Sequence, residues 1–289
     1  MLDIVYTIVI FTSMLIMLKL LSKYKVDNLQ AIIINYFVAG VLGLYFYSSG
    51  GGKVNLDSIF NASWIIHAIV IGLLFIITFN LIALGSQKIG IAITMVANKM
   101  SMIVPIFAGM YLYNQKLGLL QLLGVLLAIF GIFLTSTNNG KLSFNKSFLW
   151  LVIVIFVGQG IADSLFDNAL KNFNAGSNQE FFFSLVFLTA AILGAILMAS
   201  QLIGKKSKFQ AKSILWGILI GVPNYFTLYF MGQALSSGVL KSAQVFPVIS
   251  MGVIVLSAIA GIIFFREKLS PTNWVGILLA VMAIGAITF

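Results

Sequence analysis

Apolar runs about 20 residues long recur along the chain with short loops between them, and they constrain its fold more than any other feature. That is the length an α-helix needs to cross the hydrocarbon core of a bilayer. Ten such spans can be read, at about 4–21, 29–48, 64–84, 90–113, 117–135, 148–170, 179–202, 213–235, 239–265 and 271–289. Only 48–63, 137–147 and 204–212 offer appreciable polar segments, which leaves no room for a separate soluble domain. Composition agrees: 61% of the residues are hydrophobic and 8% charged, against about one quarter charged in soluble domains. The short alternating segments of a membrane β-barrel are absent. The expected fold class is all-α, a polytopic membrane protein with ten transmembrane helices.

Several chemistries are excluded. The chain has no cysteine and one histidine, so disulfides, thiolate metal sites and a cysteine nucleophile drop out. Neither a His-Glu-x-x-His pair nor a glycine-rich nucleotide loop occurs. Asp163 and Asp167 are the only close acid pair within an apolar span, and no second motif matches them. The reading is a non-enzyme with no cofactor and no metal. The net charge of +10 comes from lysines set singly or in small groups between the apolar runs. Anionic lipid head groups, not nucleic acid, are their expected neighbours.

The lysines also orient the chain. Lys23 and Lys25, Lys88, Lys141 and Lys146, Lys205, Lys206, Lys208 and Lys212, and Arg266 and Lys268 fall in odd-numbered loops, whereas the opposite side has Lys53, Lys116 and Lys171. The positive-inside rule then places the odd loops in the cytoplasm and both termini outside. The first span carries Asp3 before its apolar run and Lys19, Lys23 and Lys25 after it. That is the reverse of a secretory signal's charge order, so it reads as a retained helix.

An internal repeat organises the spans. Gly124-Val-Leu-Leu-Ala128 in the fifth matches Gly276-Ile-Leu-Leu-Ala280 in the tenth, and Lys116-Leu117 matches Lys268-Leu269 just upstream. Ala83-Leu84 matches Ala234-Leu235, and Ile71-Gly72 matches Ile220-Gly221. Two repeats follow, residues 1–140 and 141–289, integrated in one transmembrane domain. Five helices per repeat is an odd number, so the halves enter the membrane in opposite senses, an architecture used by secondary transporters. The small-residue rows Gly124/Ala128 and Gly276/Ala280 suit close packing of the fifth and tenth helices.

At this level the chain resembles the paired EamA modules of the drug/metabolite transporter superfamily. The resemblance is carried by Ala97-Asn98-Lys99-Met100-Ser101 through Pro105 to Gln115-Lys116-Leu117, and by Phe246-Pro247-Val248 through Phe265-Arg266-Glu267-Lys268-Leu269-Ser270. It covers essentially the whole chain. It implies ten helices in two inverted halves, a central substrate cavity and alternating access without ATP, in a bacterial inner membrane. One departure is visible: the acidic residue usual before Lys-Leu is present as Glu267 but is Gln115 in the first half. That turn is structural, so the departure bears on folding or gating more than on substrate.

Candidate site residues begin with the stretch Gly158–Lys171, where Gln159, Asp163, Asp167 and Lys171 recur every four residues and so form one polar stripe on a helix. A carboxylate at the depth of Asp163 should face a protein interior or water-filled cavity and have a partner. Lys99, beside Asn98 near the middle of the fourth span, is the expected partner; a lysine there costs about 2.5–3.5 kcal/mol on insertion scales. Lys99 would bind an anionic group of the substrate or pair with Asp163 in the empty state; the alternatives are a structural pair that locks the two halves together and a lysine snorkelling from a misplaced span. A carboxylate whose pairing alternates would take up and release a proton, which makes the proton a candidate coupling ion. Asp167 reads as an entrance residue and Lys171 as a head-group anchor.

Uncharged candidates are Asn35 and Tyr36 in the second span, Asn224 and Tyr225 after Pro223 in the eighth, and Gln244 before Pro247 in the ninth. Proline frees a carbonyl one turn earlier, which a cavity can satisfy; an interhelical hydrogen bond is the alternative reading for the asparagines. His67 beside Trp64 reads as an interfacial anchor ahead of a proton relay, and Phe181-Phe182-Phe183 as lipid contacts ahead of the lining of a hydrophobic substrate pocket. Partners expected are a small-molecule substrate, the bilayer and a possible second copy, with monomer and homodimer both open. A passive channel is the alternative to a carrier, since nothing in sequence separates pore from carrier.

Overall fold

In the computed structural model, residues 2–52, 62–101, 103–104, 118–138, 141–142, 144–172, 179–204, 208–237 and 242–288 are described. Among them lie ten α-helices: α1 Leu2–Lys23, α2 Asn28–Ser49, α3 Ile65–Lys88, α4 Ile91–Met100, α5 Leu119–Ser136, α6 Leu149–Asn172, α7 Gln179–Ile203, α8 Ala211–Ser236, α9 Ser242–Phe265 and α10 Pro271–Thr288. Eight contain a segment long and apolar enough to cross a membrane; α4 and α10 are shorter apolar helices. The fourth expected span continued to residue 113, but 105–117, with Pro105, lie outside the described residues, as does Lys241 near the start of the ninth expected span, where it could line a cavity or reach the interface. The polar segment after α5 holds a two-residue antiparallel ladder pairing Thr137 with Leu142 and Asn138 with Lys141. This local turn does not change the all-α class.

Helix boundaries follow local chemistry. Ser270 and Asn273 cap the start of α10 reciprocally, Asn273 N–H donating to Ser270 Oγ at 3.2 Å and Ser270 N–H to Asn273 Oδ1 at 2.9 Å. Pro271 then occupies the first helical position, where its missing N–H costs nothing. Asp27 caps α2 by accepting from Gln30 N at 2.9 Å. The end of α1 is closed by Lys25 N–H to Ser22 O at 3.1 Å and Val26 N–H to Leu21 O at 2.9 Å, with Lys25 at φ 53°. These are the two bonds of a Schellman cap, built here on a lysine rather than the usual glycine.

The chain forms two compact units, each drawing on both halves of the sequence. The first comprises Met1–Lys19, Leu81–Gly160 and Phe226–Phe289. Within it α5 packs along α10. A β-carbon at Gly276 would lie 2.3 Å from Thr135 N, and one at Gly131 3.0 Å from Ala280 N, so the backbones nearly touch. Small residues permit that approach, which maximises dispersion contact where no hydrophobic force separates helix from lipid. Ala92, Val96, Val125, Ala128, Ile254, Ala258, Ile277 and Ala280 join α4, α5, α9 and α10 in one buried cluster. The expected pairing of the Gly124/Ala128 and Gly276/Ala280 helices is what this unit contains. Asn273 ties the two further, its Nδ2 donating to Thr135 O at 2.7 Å and Leu134 O at 3.3 Å.

The second unit comprises Leu20–Asn80 and Ile161–Tyr225. Here α2 packs along α7. Gly43 abuts Ser184, and Gly194 abuts Ile33. The same sequence spacing separates Gly43 from Gly194 and Ile33 from Ser184, so the two contacts join positions at one common offset. A looser pair, its two spacings differing by two residues, occurs between Gly72 and Thr189 and between Gly221 and Val38, and in the first unit Gly160 meets Ser101 and Val104 while Gly252 meets Ile8. Ile8 and Gly160, and Ser101 and Gly252, stand at the same spacing to within one residue.

Candidate functional site

The second unit brings two of the uncharged candidates together. Asn224 Nδ2 on α8 donates to Asn35 Oδ1 on α2 at 3.1 Å, and both residues are buried. The helices can approach this closely because Gly221 faces the Asn35 backbone, where a β-carbon would sit 2.7 Å from Asn35 O. Asn35 Nδ2 is buried and makes no hydrogen bond among the described residues. Such a donor costs about 1–3 kcal/mol while it lacks an acceptor. Tyr36 is buried as well: its hydroxyl donates to Phe75 O at 3.1 Å and its ring lies against Phe79 and Phe187. Tyr225 stacks on Phe46, ring centroids 5.3 Å apart and nearly parallel.

The first unit holds Asn98, Lys99, Gln159 and the backbone of Gln244, whose side chain lies outside the described residues. Asn98 is 4% exposed, and its carbonyl accepts from Ser101 Oγ. Lys99 is half-buried, with its ammonium 4.5 Å from the centre of the Phe11 ring. That cation–π contact lowers the cost of holding a charge inside an apolar helix bundle. Gln159 is also half-buried.

The four positions of the polar stripe fall on one helix, α6, which runs unbroken from Leu149 to Asn172. Asp163 is half-buried in the second unit; the side chains of Asp167 and Lys171 lie outside the described residues. One residue beyond Asp167, Asn168 Nδ2 lies 3.3 Å from His67 Nε2 on α3. His67 is therefore engaged in a helix–helix polar contact as well as standing near the helix start. Trp64 is buried against Phe181 and Phe182. The three phenylalanines are corrected by the structure: Phe181, Phe182 and Phe183 are buried at 6%, 0% and 9% exposure, not lipid contacts. Three consecutive residues cannot share one helix face, but Trp64, Tyr47 and Phe166 cover them from different sides.

A polar knot that the spacing did not reveal lies around Glu267. Its carboxylate pairs with Lys19 of α1 and accepts from Ile91 N–H at the start of α4, 2.9 Å away. Gly90, at φ 101°, leaves space for it, since a β-carbon there would lie 3.1 Å from Glu267 Oε2. α4 has no side-chain cap of its own at Gly90, so an acid from the turn before α10 supplies the anion its N-terminus favours. The acidic position before Lys-Leu was legible as structural; its partners, far away in sequence, were not.

Among the described residues no group of three or more His, Cys, Asp or Glu could hold a metal ion. An uncharacterized protein of Haemophilus influenzae is 28% identical over 285 residues, spanning 98% of this chain and 96% of that protein. A crystal structure of another protein superposes with a TM-score of 0.61 at 16% identity over 98% of this chain and 96% of that one, a likeness of fold alone. Residues 2–137 match the model of the EamA-like transporter family. With eight helices long and apolar enough to cross a membrane among the described residues, the chain is a multi-pass membrane protein whose first half is similar to the EamA-like transporter family.

Proposed function

We propose that the protein is a secondary-active carrier of small polar or amphipathic metabolites, working by alternating access in a bacterial inner membrane. Its repeats are residues 1–140 and 141–289 of one integrated domain, with odd-numbered loops cytoplasmic and both termini outside. The observation that carries this reading is the recurrence of packing contacts at repeat-equivalent positions: Gly43 on Ser184 with Gly194 on Ile33, and Gly160 on Ser101 with Gly252 on Ile8. Inverted repeats let one half rock while the other adopts the conformation its twin has left. The family supports transport but names no substrate.

Lys99 is the proposed anchor for an anionic substrate group and Asp163 the proposed coupling carboxylate, with Asn98, Gln159, Asp167 and Gln244 as polar lining. A charge at the depth of Lys99 or Asp163 is costly, and function is the ordinary reason for keeping one. The test begins with thermal stabilisation against a metabolite panel, since a ligand that binds the folded form raises apparent stability. A hit is then taken into proteoliposomes. Unlabelled substrate on the far side should accelerate entry of labelled substrate; no acceleration would make the protein a passive channel. Asp163→Asn should abolish dependence on a pH gradient, and a variant that kept it in full would remove Asp163 from coupling.

A further inference from the structure

The second unit gathers the basic residues of two loops that are far apart in sequence. Gln30 Nε2 donates to Lys208 O at 2.8 Å, Gln210 N–H donates to Gln30 Oε1 at 2.8 Å, and Asp27 N–H donates to Gln210 Oε1 at 3.2 Å. These bonds let one glutamine side chain mimic a strand pairing, and they pin the segment before α8 to the start of α2. Lys212 Nζ adds a bond to Tyr24 O at 2.9 Å. Lys23, Lys25, Lys208 and Lys212 are thereby collected at one end, all of them exposed. The carboxylate beside them is Asp27, whose Oδ1 is occupied in capping α2.

The patch is amphiphilic as well as basic. Tyr24 lies against Trp216 with ring centroids 5.2 Å apart and is 53% exposed. Phe209 and Leu215 are 62% and 61% exposed. Aromatic rings sit at the head-group level of membranes, where one end is apolar and the other wet. Lysines beside such rings attract lipid phosphates. A nucleotide or acidic peptide would match the amines but leave the exposed Phe209 and Leu215 uncovered.

We propose that this end of the second unit is a binding site for an anionic phospholipid, with Lys23, Lys25, Lys208 and Lys212 around the phosphate, Tyr24 and Trp216 at the head-group level, and Phe209 and Leu215 along the acyl chains. The site is independent of the transport reading. It also explains why the lysine-rich loops are held together rather than spread over the surface.

The purified full chain is compared in phosphatidylcholine nanodiscs with and without added phosphatidylglycerol of matched acyl chains. At about ten times its Kd the anionic lipid should raise Tm by about 4 °C. The triple variant K23Q/K25Q/K208Q, which leaves the Lys212–Tyr24 bond in place, should keep the wild-type Tm in phosphatidylcholine and lose the rise. The matching arginine variant should recover it. Native mass spectrometry of the wild type should retain phosphatidylglycerol in preference to phosphatidylcholine. The proposal is overturned by equal Tm in both lipids, by a glutamine variant that keeps the full rise, by no preferential retention, or by an equal rise from inorganic phosphate alone.

Discussion

Glu267 reaches from the turn before α10 to accept the Ile91 N–H at 2.9 Å, and the same carboxylate pairs with Lys19. One side chain thus holds α1, the start of α4 and the end of α9 together, with Lys19 Nζ also 4.6 Å from the centre of the Phe265 ring. Both charged side chains are mostly buried, at 16% and 12% exposure, so removing one partner leaves the other desolvated and unpaired. Glu267→Gln keeps an acceptor for Ile91 but loses the ion pair; it should cost about 1–2 kcal/mol. Glu267→Ala loses both and should cost about 3 kcal/mol or more. Thermal unfolding in detergent ranks the two. Equal Tm values for both variants would mean that the helix cap contributes nothing.

The comparison of sequence with structure turns on range. Ser270-Pro271 marks the start of α10 in the sequence itself, because capping is decided by neighbours three residues apart. The Gly-x-Leu-Leu-Ala segments identified α5 and α10, because small residues repeated at helical spacing have one main use in a membrane. Lys19 gave no such signal: it read as a charge closing the first span, and only folding brings Glu267 to it. Phe181–Phe183 misled for a related reason, since an apolar residue looks the same in sequence whether lipid or protein covers it. The depth expected for Lys99 and Asp163 comes from span lengths alone. What surrounds each one depends on helix rotation, which a uniformly apolar helix does not encode.

The Asn35–Asn224 contact separates a structural amide pair from a substrate-binding one. Asn224→Leu would leave Asn35 Oδ1 without its donor, adding to an Nδ2 that has no acceptor among the described residues, and should destabilise by about 1–3 kcal/mol. In Asn35→Leu/Asn224→Leu both amides are gone, and the double variant should be more stable than the Asn224→Leu single. A structural pair predicts that the double variant retains transport and ligand-induced stabilisation. A binding role predicts that it folds but loses the Tm response to the substrate identified in the panel.

The close helix contacts predict which glycines tolerate a methyl group. Gly276→Ala places a carbon 2.3 Å from Thr135 N, a backbone atom that cannot swing aside as a side chain would. Separating α5 from α10 should cost about 1–3 kcal/mol or more. Gly285 on the same helix has nothing within 4 Å of the new carbon. There Ala should be neutral or stabilising by about 0.5–1 kcal/mol, because glycine carries an entropic cost within a helix. Chemical denaturation of the two variants checks this, and a Gly276→Ala protein as stable as Gly285→Ala would contradict the tight α5–α10 approach.

Lys99 offers a case in which stability and activity should move in different directions. Its ammonium lies over Phe11 and its side chain is half-buried on a helix whose other faces are largely covered by protein. Holding a cation there opposes folding, and the ring is one of the contacts that offset the cost, by about 0.5–2 kcal/mol for a contact of this kind. Lys99→Gln should therefore leave Tm unchanged or raise it while weakening the Tm response to an anionic substrate by tenfold or more in apparent affinity. Lys99→Arg should restore part of that response, since it keeps the charge and stacks on Phe11, although its planar head cannot reproduce a point charge. A structural lysine predicts the opposite pattern: Lys99→Gln lowers Tm and leaves ligand affinity intact. Measuring both quantities on the same preparations decides between them, because a fall in Tm alone cannot account for a lost ligand response in a variant that is as stable as the parent.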